Sequence, residues 1–391
     1  MQFPQGYDLI GYGGMIANGP RIQAYCAALK RAIRPGCTVL DIGAGTGIFS
    51  LLSCQFGAGH VDAIEPNEAV TVAKSIAQAN GFSDRIDFHK ALSTDLALPL
   101  PADVVVSDLR GVLPLFQGHI PTIVDARQRH LAASGKLIPQ CDTIWAALVD
   151  DRALYRPYEY PWLSNDFDLN MQAAHPFVVN KWMRVKVKGD RLLVEPQRWA
   201  TLDYRTIVNP NIDATLTWVA DRAGVAQGIL LWFDTDLLDG IGFSNAPGEP
   251  ELIYGQAYFP IQKPIAISRG DQVVVRIAAN LPSGEYVWRW GTDLFSSHAD
   301  SAPIPTRRVR FQQSTFLGRL ISLETLRRRE ASYVPELPSR GQAERFMLLL
   351  MDGDTSLSDI ARQTAAKFPD LFPRWQDALA RAGELAEKFS Q

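Results

Sequence analysis

Short hydrophobic runs alternate with amphipathic stretches over the first 139 residues of the chain. The runs at 39–41, 61–65, 86–89, 104–107 and 136–138 predict strands, and helical spacing predicts helices over 20–34, 48–56, 67–80 and 117–131. Strands that alternate with helices are typical of a doubly wound parallel sheet. Ligands in such sheets bind beyond the carboxyl ends of the strands. The sequence therefore predicts an α/β ligand-binding domain over residues 1–139.

The hydrophobic pattern changes to period two after residue 140. Alternating runs occur at 144–148, 182–187, 191–194, 214–219, 229–233, 257–261 and 272–277. They predict an antiparallel barrel or sandwich over residues 140–318, interrupted by an aromatic and proline-rich extension at 155–180. A proline-bearing linker is expected over 319–341. Residues 342–391 then predict a small helical module, in which Thr355 and Ser356 are placed to cap a helix that begins near Leu357.

Composition limits the function classes. The 391 residues are 47% hydrophobic and 21% charged, which is typical of a globular protein with more than one domain. A formal net charge of −3 argues against nucleic acid or an anionic membrane as a general partner, and no apolar run is long enough to cross a bilayer. The four cysteines and six histidines lack metal-ligand or disulfide spacing. We therefore expect a cytoplasmic protein with no metal site.

A glycine-rich turn is the strongest local signal for a ligand. The first predicted strand ends in Asp41, and the turn that follows contains Gly43, Gly45 and Gly47. Glu65 ends the next strand, roughly 20 residues later, where nucleotide-binding folds place an acid for the ribose hydroxyls. The G-x-G-x-G pattern differs from the dinucleotide pattern G-x-G-x-x-G. The run Asp-Ile-Gly-Ala-Gly-Thr-Gly, followed by a strand that ends in Glu, resembles motif I of class I S-adenosylmethionine (SAM) methyltransferases, and a nicotinamide cofactor stays open as an alternative.

The first three hundred residues resemble protein arginine methyltransferases. The resemblance rests on Met15 and Arg21 at their spacing, on VLDIGAGTGIFSLL, on VVVSDLRGVLPLFQG, and on the later GFSNAPGEP segment. It implies a Rossmann-like SAM-binding domain followed by a β-barrel. The cofactor-binding positions that it implies are Met15, Arg21, Asp41, Gly43, Gly45, Glu65, Leu92 and Ser93. Arg21 would pair with the methionyl carboxylate and Glu65 with the ribose, while a helix-surface Arg21 and simple core packing of Met15 remain alternatives.

The acceptor side departs from the family pattern. Two catalytic glutamates of the family align with Asp108 and Gln117, so one carboxylate is shortened and the other is replaced by an amide. Arg110 follows Asp108, and its permanent charge would oppose a cationic acceptor and favour one that bears a carboxylate. Its alternative is an outward-pointing salt bridge. The Thr-His-Trp motif of the family aligns with residues 252–254, which end in Tyr254. His119 is expected on a helix surface rather than as a base.

Three functions follow from this resemblance. The first is a SAM-dependent methyltransferase that modifies an arginine-like nitrogen or another polar group of a peptide, protein or small metabolite. The alternatives are a genuine protein arginine N-methyltransferase and a SAM-binding or partner-binding module without turnover. The family also implies a homodimer through an arm at 155–180. The last fifty residues loosely resemble PqqD-like peptide-binding modules, or they form a helical appendage.

Overall fold

The computed structural model describes residues 7–296 and 306–390 of the chain. Contacts divide the chain into two compact units, and the division falls after Arg319. The first unit contains a parallel α/β region and an antiparallel β region, and the second is helical. Among the described residues, no helix combines the length and the apolar character needed to cross a bilayer.

The parallel sheet has the strand order β3-β2-β1-β4-β5. Its strands are β1 (Thr38–Ile42), β2 (His60–Ile64), β3 (Ile86–His89), β4 (Ala102–Ser107) and β5 (Leu131–Ile138). Helices α1 (Leu9–Ala17), α2 (Gly19–Ala32), α3 (Ile48–Gln55), α4 (Ala69–Ala79) and α5 (His119–Arg129) accompany them. The predicted alternation is confirmed, because the last four residues of β1 and the last four of β2 are buried, as in strands that are covered on both faces by helices.

Two features of this region escaped the hydrophobic pattern. Helix α1 has no buried residue and two glycines at its centre, so its residues carry no clear amphipathic stripe. Its start is nevertheless capped, because Asp8 accepts a hydrogen bond of 2.7 Å from the backbone N–H of Gly11. Strand β5 begins at Leu131, five residues before the predicted start. The hydrophobic pattern missed its first residues because they are exposed or half-buried.

The antiparallel region forms two sheets, with strand orders β7-β12-β10-β6-β8, where β11 also pairs with β10, and β15-β14-β13-β9. The strands are β6 (Cys141–Val149), β7 (Met183–Val185), β8 (Gln197–Asp203), β9 (Ile212–Val219), β10 (Gly224–Leu238), β11 (Ile241–Ser244), β12 (Gln256–Ile267), β13 (Gln272–Asn280), β14 (Val287–Ser296) and β15 (Thr306–Ser314). Helices α6 (Arg152–Glu159) and α7 (His175–Val178) lie in the predicted extension. These sheets form the predicted barrel domain.

The predicted strand at 191–194 is wrong. Residues 189–191 form a 3₁₀ turn, and Leu192 contributes only an isolated bridge to Val149. Strands β8, β11, β14 and β15 were not predicted. In β14 the exposed Arg289 lies between two buried residues, and in β15 the exposed Arg310 lies between two half-buried ones. These strands pair with each other next to β13.

The second unit contains α8 (Leu323–Arg327), α9 (Ser339–Leu349), α10 (Leu357–Lys367) and α11 (Trp375–Phe389). Helix α8 lies inside the predicted linker, and α9 begins three residues before the predicted module. The Ser356 cap is confirmed, because its hydroxyl accepts a hydrogen bond of 3.2 Å from the backbone N–H of Asp359. Helices α9, α10 and α11 pack around a small buried core that includes Met347, Ile360 and Leu385. Its resemblance to a peptide-binding module stays a prediction.

Candidate active site

The glycine turn between β1 and α3 depends on backbone conformations that only glycine adopts freely. Gly43 and Gly45 have φ angles of 77° and 56°. A Cβ atom on Gly43 would lie 2.5 Å from the Leu109 side chain, and one on Gly45 would lie 2.5 Å from the Tyr12 ring. The turn is therefore a cradle of bare backbone at the carboxyl end of β1. Such a cradle fits a nucleoside-containing cofactor.

Glu65 lies directly after β2 and is joined to this turn. Its carboxylate accepts hydrogen bonds from the backbone N–H of Gly45 at 2.8 Å and from the backbone and side-chain nitrogens of Asn67 at 2.9 and 2.8 Å. The residue is 4% exposed. A carboxylate fixed beside a glycine turn is a suitable acceptor for ribose hydroxyls. Glu65 thus lies where the sequence analysis expects the ribose-binding acid.

Asp41 lies beneath the turn rather than on its surface. It is completely buried, and one carboxylate oxygen accepts a hydrogen bond of 2.6 Å from the hydroxyl of Ser50 on α3. The other oxygen has no partner among the residues that the structure describes. Burial raises the pKa of Asp41 to about 7. Asp41 therefore connects β1 to α3 and supports the turn from inside, and direct contact with a cofactor stays a prediction.

Leu92 and Ser93 follow β3 at the same edge of the sheet. The backbone N–H of Glu65 donates to the carbonyl of His89, which joins the ends of β2 and β3. Ser93 is buried in a 3₁₀ turn, and its carbonyl accepts a hydrogen bond of 2.9 Å from Arg129. The loop is thus held near the Glu65 end of the sheet, which is compatible with the predicted role in adenine binding.

Arg21 on α2 is buried, so the helix-surface alternative is wrong. Its guanidinium donates to Asp108 at 2.7 Å, contacts the same carboxylate at 2.5 Å, and donates to the carbonyl of Met15 at 3.2 Å. It also lies over the rings of Tyr25 and Phe49, at 5.3 and 5.4 Å. Burial alone would lower the pKa of Arg21, but Asp108 raises it above its usual value. The permanent cation suits an anionic group such as a methionyl carboxylate.

Asp108, after β4, is the centre of the acceptor side. One of its oxygens binds Arg21 and accepts a hydrogen bond of 2.6 Å from the hydroxyl of Tyr254, while the other accepts one of 3.0 Å from Arg110. Burial alone would raise the pKa of Asp108, but Arg21 and Arg110 together hold it below the usual value. Asp108 is therefore a fixed anion between two cations.

Arg110 points inward, which contradicts the outward salt bridge considered above. Its side chain is fully buried, and it pairs with Asp142 at 2.8 Å and with Asp108 at 3.0 Å. Asp142 in turn accepts hydrogen bonds from Tyr204 at 2.5 Å and from Thr235 at 2.6 Å. One guanidinium nitrogen of Arg110 has no partner in the described part of the chain. Arg110 consequently connects the loop after β4 to Asp142 in the barrel. Its positive charge offsets one of the two negative charges of Asp108 and Asp142.

A cavity of about 630 Å³ opens beside this network. Its lining includes Met15, which is predicted to bind the cofactor, and Asp108, which is predicted to be catalytic. Arg110 and Tyr254, which the resemblance places on the acceptor side as substrate-binding residues, line it as well. The size is within the range of small-molecule sites. Met15 is half-buried there rather than packed in a core, so the simple core-packing alternative is wrong.

Gln117 and His119 are not among the residues that line this cavity. Gln117 is half-buried with a left-handed φ of 42°, immediately before α5. Its neighbour Phe116 reaches the cavity instead. His119 is buried, not on a helix surface as expected, and hydrogen-bonds the carbonyl of Pro114 at 2.8 Å. Burial lowers the pKa of His119, so it is neutral at physiological pH.

The sequence analysis missed several residues at the site. Tyr12 lies on the glycine turn, and Arg184, Lys186 and Glu251 line the cavity. Lys186 pairs with Glu251, and Arg184 donates to the carbonyl of Ile253. Arg184 lies on β7 and Lys186 directly follows it, and both are exposed while Val185 between them is buried. A strand prediction that included this alternation of exposed and buried positions could have found the two cations.

Comparisons with known proteins agree with this arrangement. The family described as "Ribosomal protein L11 methyltransferase (PrmA)" matches residues 23–154, and "Arginine methyltransferase oligomerization subdomain" matches residues 140–285. An "Arginine N(omega)-methyltransferase" of Streptomyces achromogenes subsp. streptozoticus is 28% identical over 269 residues, which cover 67% of this chain and 74% of that protein. A "Probable histone-arginine methyltransferase CARM1" of Oryza sativa subsp. indica is 29% identical, over 71% of this chain and 56% of its own length.

Solved structures support the fold. Arabidopsis thaliana protein arginine methyltransferase 10 superposes with a TM-score of 0.67 at 18% identity, covering 79% of this chain and 98% of that one. The Trypanosoma brucei PRMT1 enzyme-prozyme heterotetrameric complex with AdoHcy gives a TM-score of 0.69 at 17% identity, covering 78% of this chain and 97% of that one. The α/β sheet followed by a barrel is thus the architecture of these proteins.

Proposed function

Because the chain belongs to the SAM-dependent methyltransferases of the arginine methyltransferase type, we propose that it methylates a guanidino nitrogen of a small acceptor that carries its own carboxylate. Free arginine is the simplest compound of this class. One related protein, of Streptomyces, is named an arginine N(omega)-methyltransferase, and another, of Oryza sativa, a probable histone-arginine methyltransferase, so the names of the relatives support a guanidino nitrogen as the acceptor and are compatible with a small or a protein acceptor. A genuine protein arginine methyltransferase is the alternative outcome of the test below.

The observation that carries the proposal is the charge distribution in the cavity. The cavity contains the buried carboxylate of Asp108, whose side chain is 7% exposed, together with the exposed cations Arg184 and Lys186. A zwitterionic acceptor can present its guanidinium to the carboxylate and its own carboxylate to the exposed cations. A peptide arginine has no carboxylate at that position. Glu251 already pairs with Lys186, whereas Arg184 donates to the carbonyl of Ile253 and would receive no carboxylate from a peptide.

Arg110 strengthens this argument. Arg21 and Arg110 already balance the charges of Asp108 and Asp142, so the site has no surplus negative charge for a simple cation. Binding energy must therefore come from the far end of the acceptor. Attraction between the acceptor carboxylate and the exposed cations would supply it.

The cofactor supplies an electrophilic methyl group on its sulfonium. Gly43, Gly45 and Glu65 would hold its adenosine end, and Arg21 its carboxylate. Asp108 remains ionised at neutral pH because its pKa is lowered, and it would orient the acceptor guanidinium through hydrogen bonds. Tyr254 fixes the orientation of Asp108. Alignment of the acceptor nitrogen is then the main contribution of these residues.

The proposal includes a cytoplasmic homodimer. The arm at 155–180 exposes large apolar side chains, namely Leu163, Phe167, Leu169, Met171 and Phe177. Its exposed apolar surface and the match to an oligomerization subdomain support self-association. The four free cysteines are compatible with a reducing compartment. Light scattering at micromolar concentration tests the dimer, and a monomer that persists would remove it.

The acceptor is tested with labelled SAM and three matched compounds. We expect methylation of free arginine, weak methylation of agmatine, which lacks the carboxylate, and weak methylation of an arginine-rich peptide. The double variant Arg184→Gln/Lys186→Gln should raise KM for arginine about 10-fold or more, because an exposed ion pair is lost at each position. The control Arg198→Gln changes an exposed arginine of β8 that does not line the cavity.

Two results would contradict the proposal. Equal turnover of agmatine and arginine would show that the carboxylate is not recognised, and faster turnover of peptides would favour the protein arginine methyltransferase. Absence of product with every acceptor and with host extract, while calorimetry shows SAM binding, would favour the module without turnover.

A further inference from the structure

A cluster of histidine and aspartate side chains lies on the parallel sheet, outside the cavity. His60 and Asp62 are two residues apart on β2, and Asp87 and His89 are two residues apart on β3. The two strands are parallel neighbours, and their register places Asp62 directly opposite Asp87. Because alternate residues of a strand share a face, the four side chains occupy the same face of the sheet.

The distances within the cluster are those of ligands around a small cation. His60 Nε2 lies 3.3 Å from Asp62 Oδ2 and 3.8 Å from Asp87 Oδ2. Ligand atoms of His60, Asp62 and Asp87 all lie within 4.8 Å of one another. Four ligands at zinc distances of about 2.0–2.2 Å in a tetrahedron are roughly 3.3–3.6 Å apart. Hydrogen bonds from nitrogen are usually shorter, at about 2.7–3.2 Å.

His89 orients the central carboxylate. Its Nε2 lies 2.8 Å from Asp62 Oδ1, the oxygen that faces away from His60. A hydrogen bond to the second oxygen of a ligating carboxylate fixes the direction of the first, as outer partners of metal ligands commonly do. His89 is therefore a positioning residue in this cluster, not a ligand.

A divalent cation would also improve the charge balance around Asp62. Asp62 is 5% exposed, and within residues 7–296 and 306–390 its ion-pair partners are histidines, with no lysine or arginine. Its opposite neighbour Asp87 is another carboxylate. Like charges that face each other across strands destabilise a sheet, and a buried carboxylate without a cation is costly.

We propose that His60, Asp62 and Asp87 bind one divalent transition-metal ion of the zinc type. A set of imidazole nitrogen and carboxylate oxygens suits this class of ion. His60 begins β2 and Glu65 follows its end, so the metal site is separated from the ribose-binding position by about the length of the strand, roughly 15 Å. The ion would fasten the edge strand β3 to β2, and the site has a structural role that is independent of the proposed methyl transfer.

The test uses the full chain without a histidine tag, stripped with a chelator and titrated with ZnCl₂ by calorimetry. We expect one site per chain and a rise in Tm on zinc binding, because a ligand that binds only the folded state stabilises it. His60→Ala and Asp87→Asn should each weaken zinc binding about 10-fold or more, and His89→Ala by a similar factor through loss of orientation. The controls are His175→Ala and Asp84→Asn, which change a histidine and an exposed aspartate outside the cluster.

His60 and Asp87 are largely exposed, so these variants should fold, and equal Tm values of the metal-free proteins will show it. Zinc affinity that is unchanged in both variants would mean an adventitious ion only and would overturn the proposal. Absence of stoichiometric binding by the wild-type chain would overturn it as well. SAM affinity should be equal in all variants, so failure here is distinguishable from failure of the proposed methyl transfer.

Discussion

The predicted cofactor side and the predicted acceptor side of the site are built by different means. The cofactor side uses the backbone of one glycine turn and a carboxylate 20 residues from it, Glu65, which bonds directly to that turn. The acceptor side uses side chains that meet from distant segments: Tyr254 and Arg21 are 233 residues apart, and both contact Asp108. A backbone-built site depends on local sequence, whereas a network of side chains depends on the complete fold.

The two sides also differ in charge. Asp41 and Glu65 bind neutral donors only, as far as the described residues show. Asp108 and Asp142 are instead paired with Arg21 and Arg110. The acids of the two sides should therefore respond in opposite directions to pH, since burial raises the pKa of Asp41 and the arginines lower that of Asp108.

The largest effect is expected from Asp108→Asn. The change keeps the shape of the side chain but removes the anion between Arg21 and Arg110, so the acceptor guanidinium loses its orienting charge. We expect methyl transfer to fall about 10³-fold, as for loss of a preorganised electrostatic group.

Gln117→Ala is the matched control on the same loop, and its rate should stay within a few-fold of wild type. A steady-state assay with labelled SAM measures both, and SAM binding by calorimetry verifies that the variant is folded. Equal losses in the two variants would contradict the assignment of Asp108 as the single carboxylate of the acceptor side.

The sequence predicted the local structure of the turn after β1 better than the side-chain network around Asp108, because the turn depends on neighbouring residues and the network on distant ones. Gly43, Gly45 and Glu65 could be identified because a strand, a glycine turn and a second strand are contiguous and periodic. Arg110 could not be placed, because its direction depends on Asp142 in the barrel, 32 residues away. His119 was placed on a surface because its helix has mixed polarity, yet packing against Tyr204 buries it. The cluster of His60 and Asp87 was missed, because its members become neighbours only through strand pairing.

A second test measures how the free energy of unfolding depends on pH in the wild type and in the variant Asp41→Asn. The pKa of Asp41 is about 7 in the folded chain and about 3.9 in an unfolded one. Because the folded value is the higher one, the stabilising contribution is fully present below the unfolded pKa and is lost as the pH rises through 7. Between pH 5 and 8 the free energy of unfolding of the wild type should fall by roughly 3 kcal/mol relative to Asp41→Asn.

Denaturant unfolding at the two pH values measures this difference. Asparagine can still accept the hydrogen bond of Ser50, so the comparison isolates the charge. Asp103→Asn, a change at an exposed aspartate that accepts from the backbone of Thr38, should show no such pH dependence. If the wild type and Asp41→Asn keep a constant difference from pH 5 to 8, the burial of an unpaired acid beneath the turn is not the dominant effect.

A third test weakens the cofactor side at Glu65. The Glu65→Gln variant removes the charge that accepts the N–H of Gly45 and would bind the ribose. We expect SAM affinity to fall by about 2 kcal/mol, or roughly 30-fold, as is typical for hydrogen bonds to a charged group. Glu68→Gln changes a nearby exposed acid that pairs with Lys90 and should leave the affinity unchanged. Calorimetry measures both variants, and a loss of less than 3-fold in Glu65→Gln would mean that Glu65 serves the turn and not the cofactor.

The smallest effect is expected where the barrel meets Asp108, in the variant Tyr254→Phe. The ring keeps its stacking on Phe243, with centroids 5.9 Å apart, and only the hydroxyl that binds Asp108 and Arg21 is lost. Tyr286→Phe removes a hydroxyl that donates to the carbonyl of Pro210 elsewhere in the barrel. Both variants should lose about 1 kcal/mol of stability. Only Tyr254→Phe should lower kcat, by about 5-fold, because its hydroxyl positions the carboxylate that orients the acceptor. An equal kcat in the two variants would show that the Tyr254 hydroxyl stabilises the fold around Asp108 but does not orient its carboxylate. The contact between the barrel and the predicted acceptor side would then contribute to stability alone.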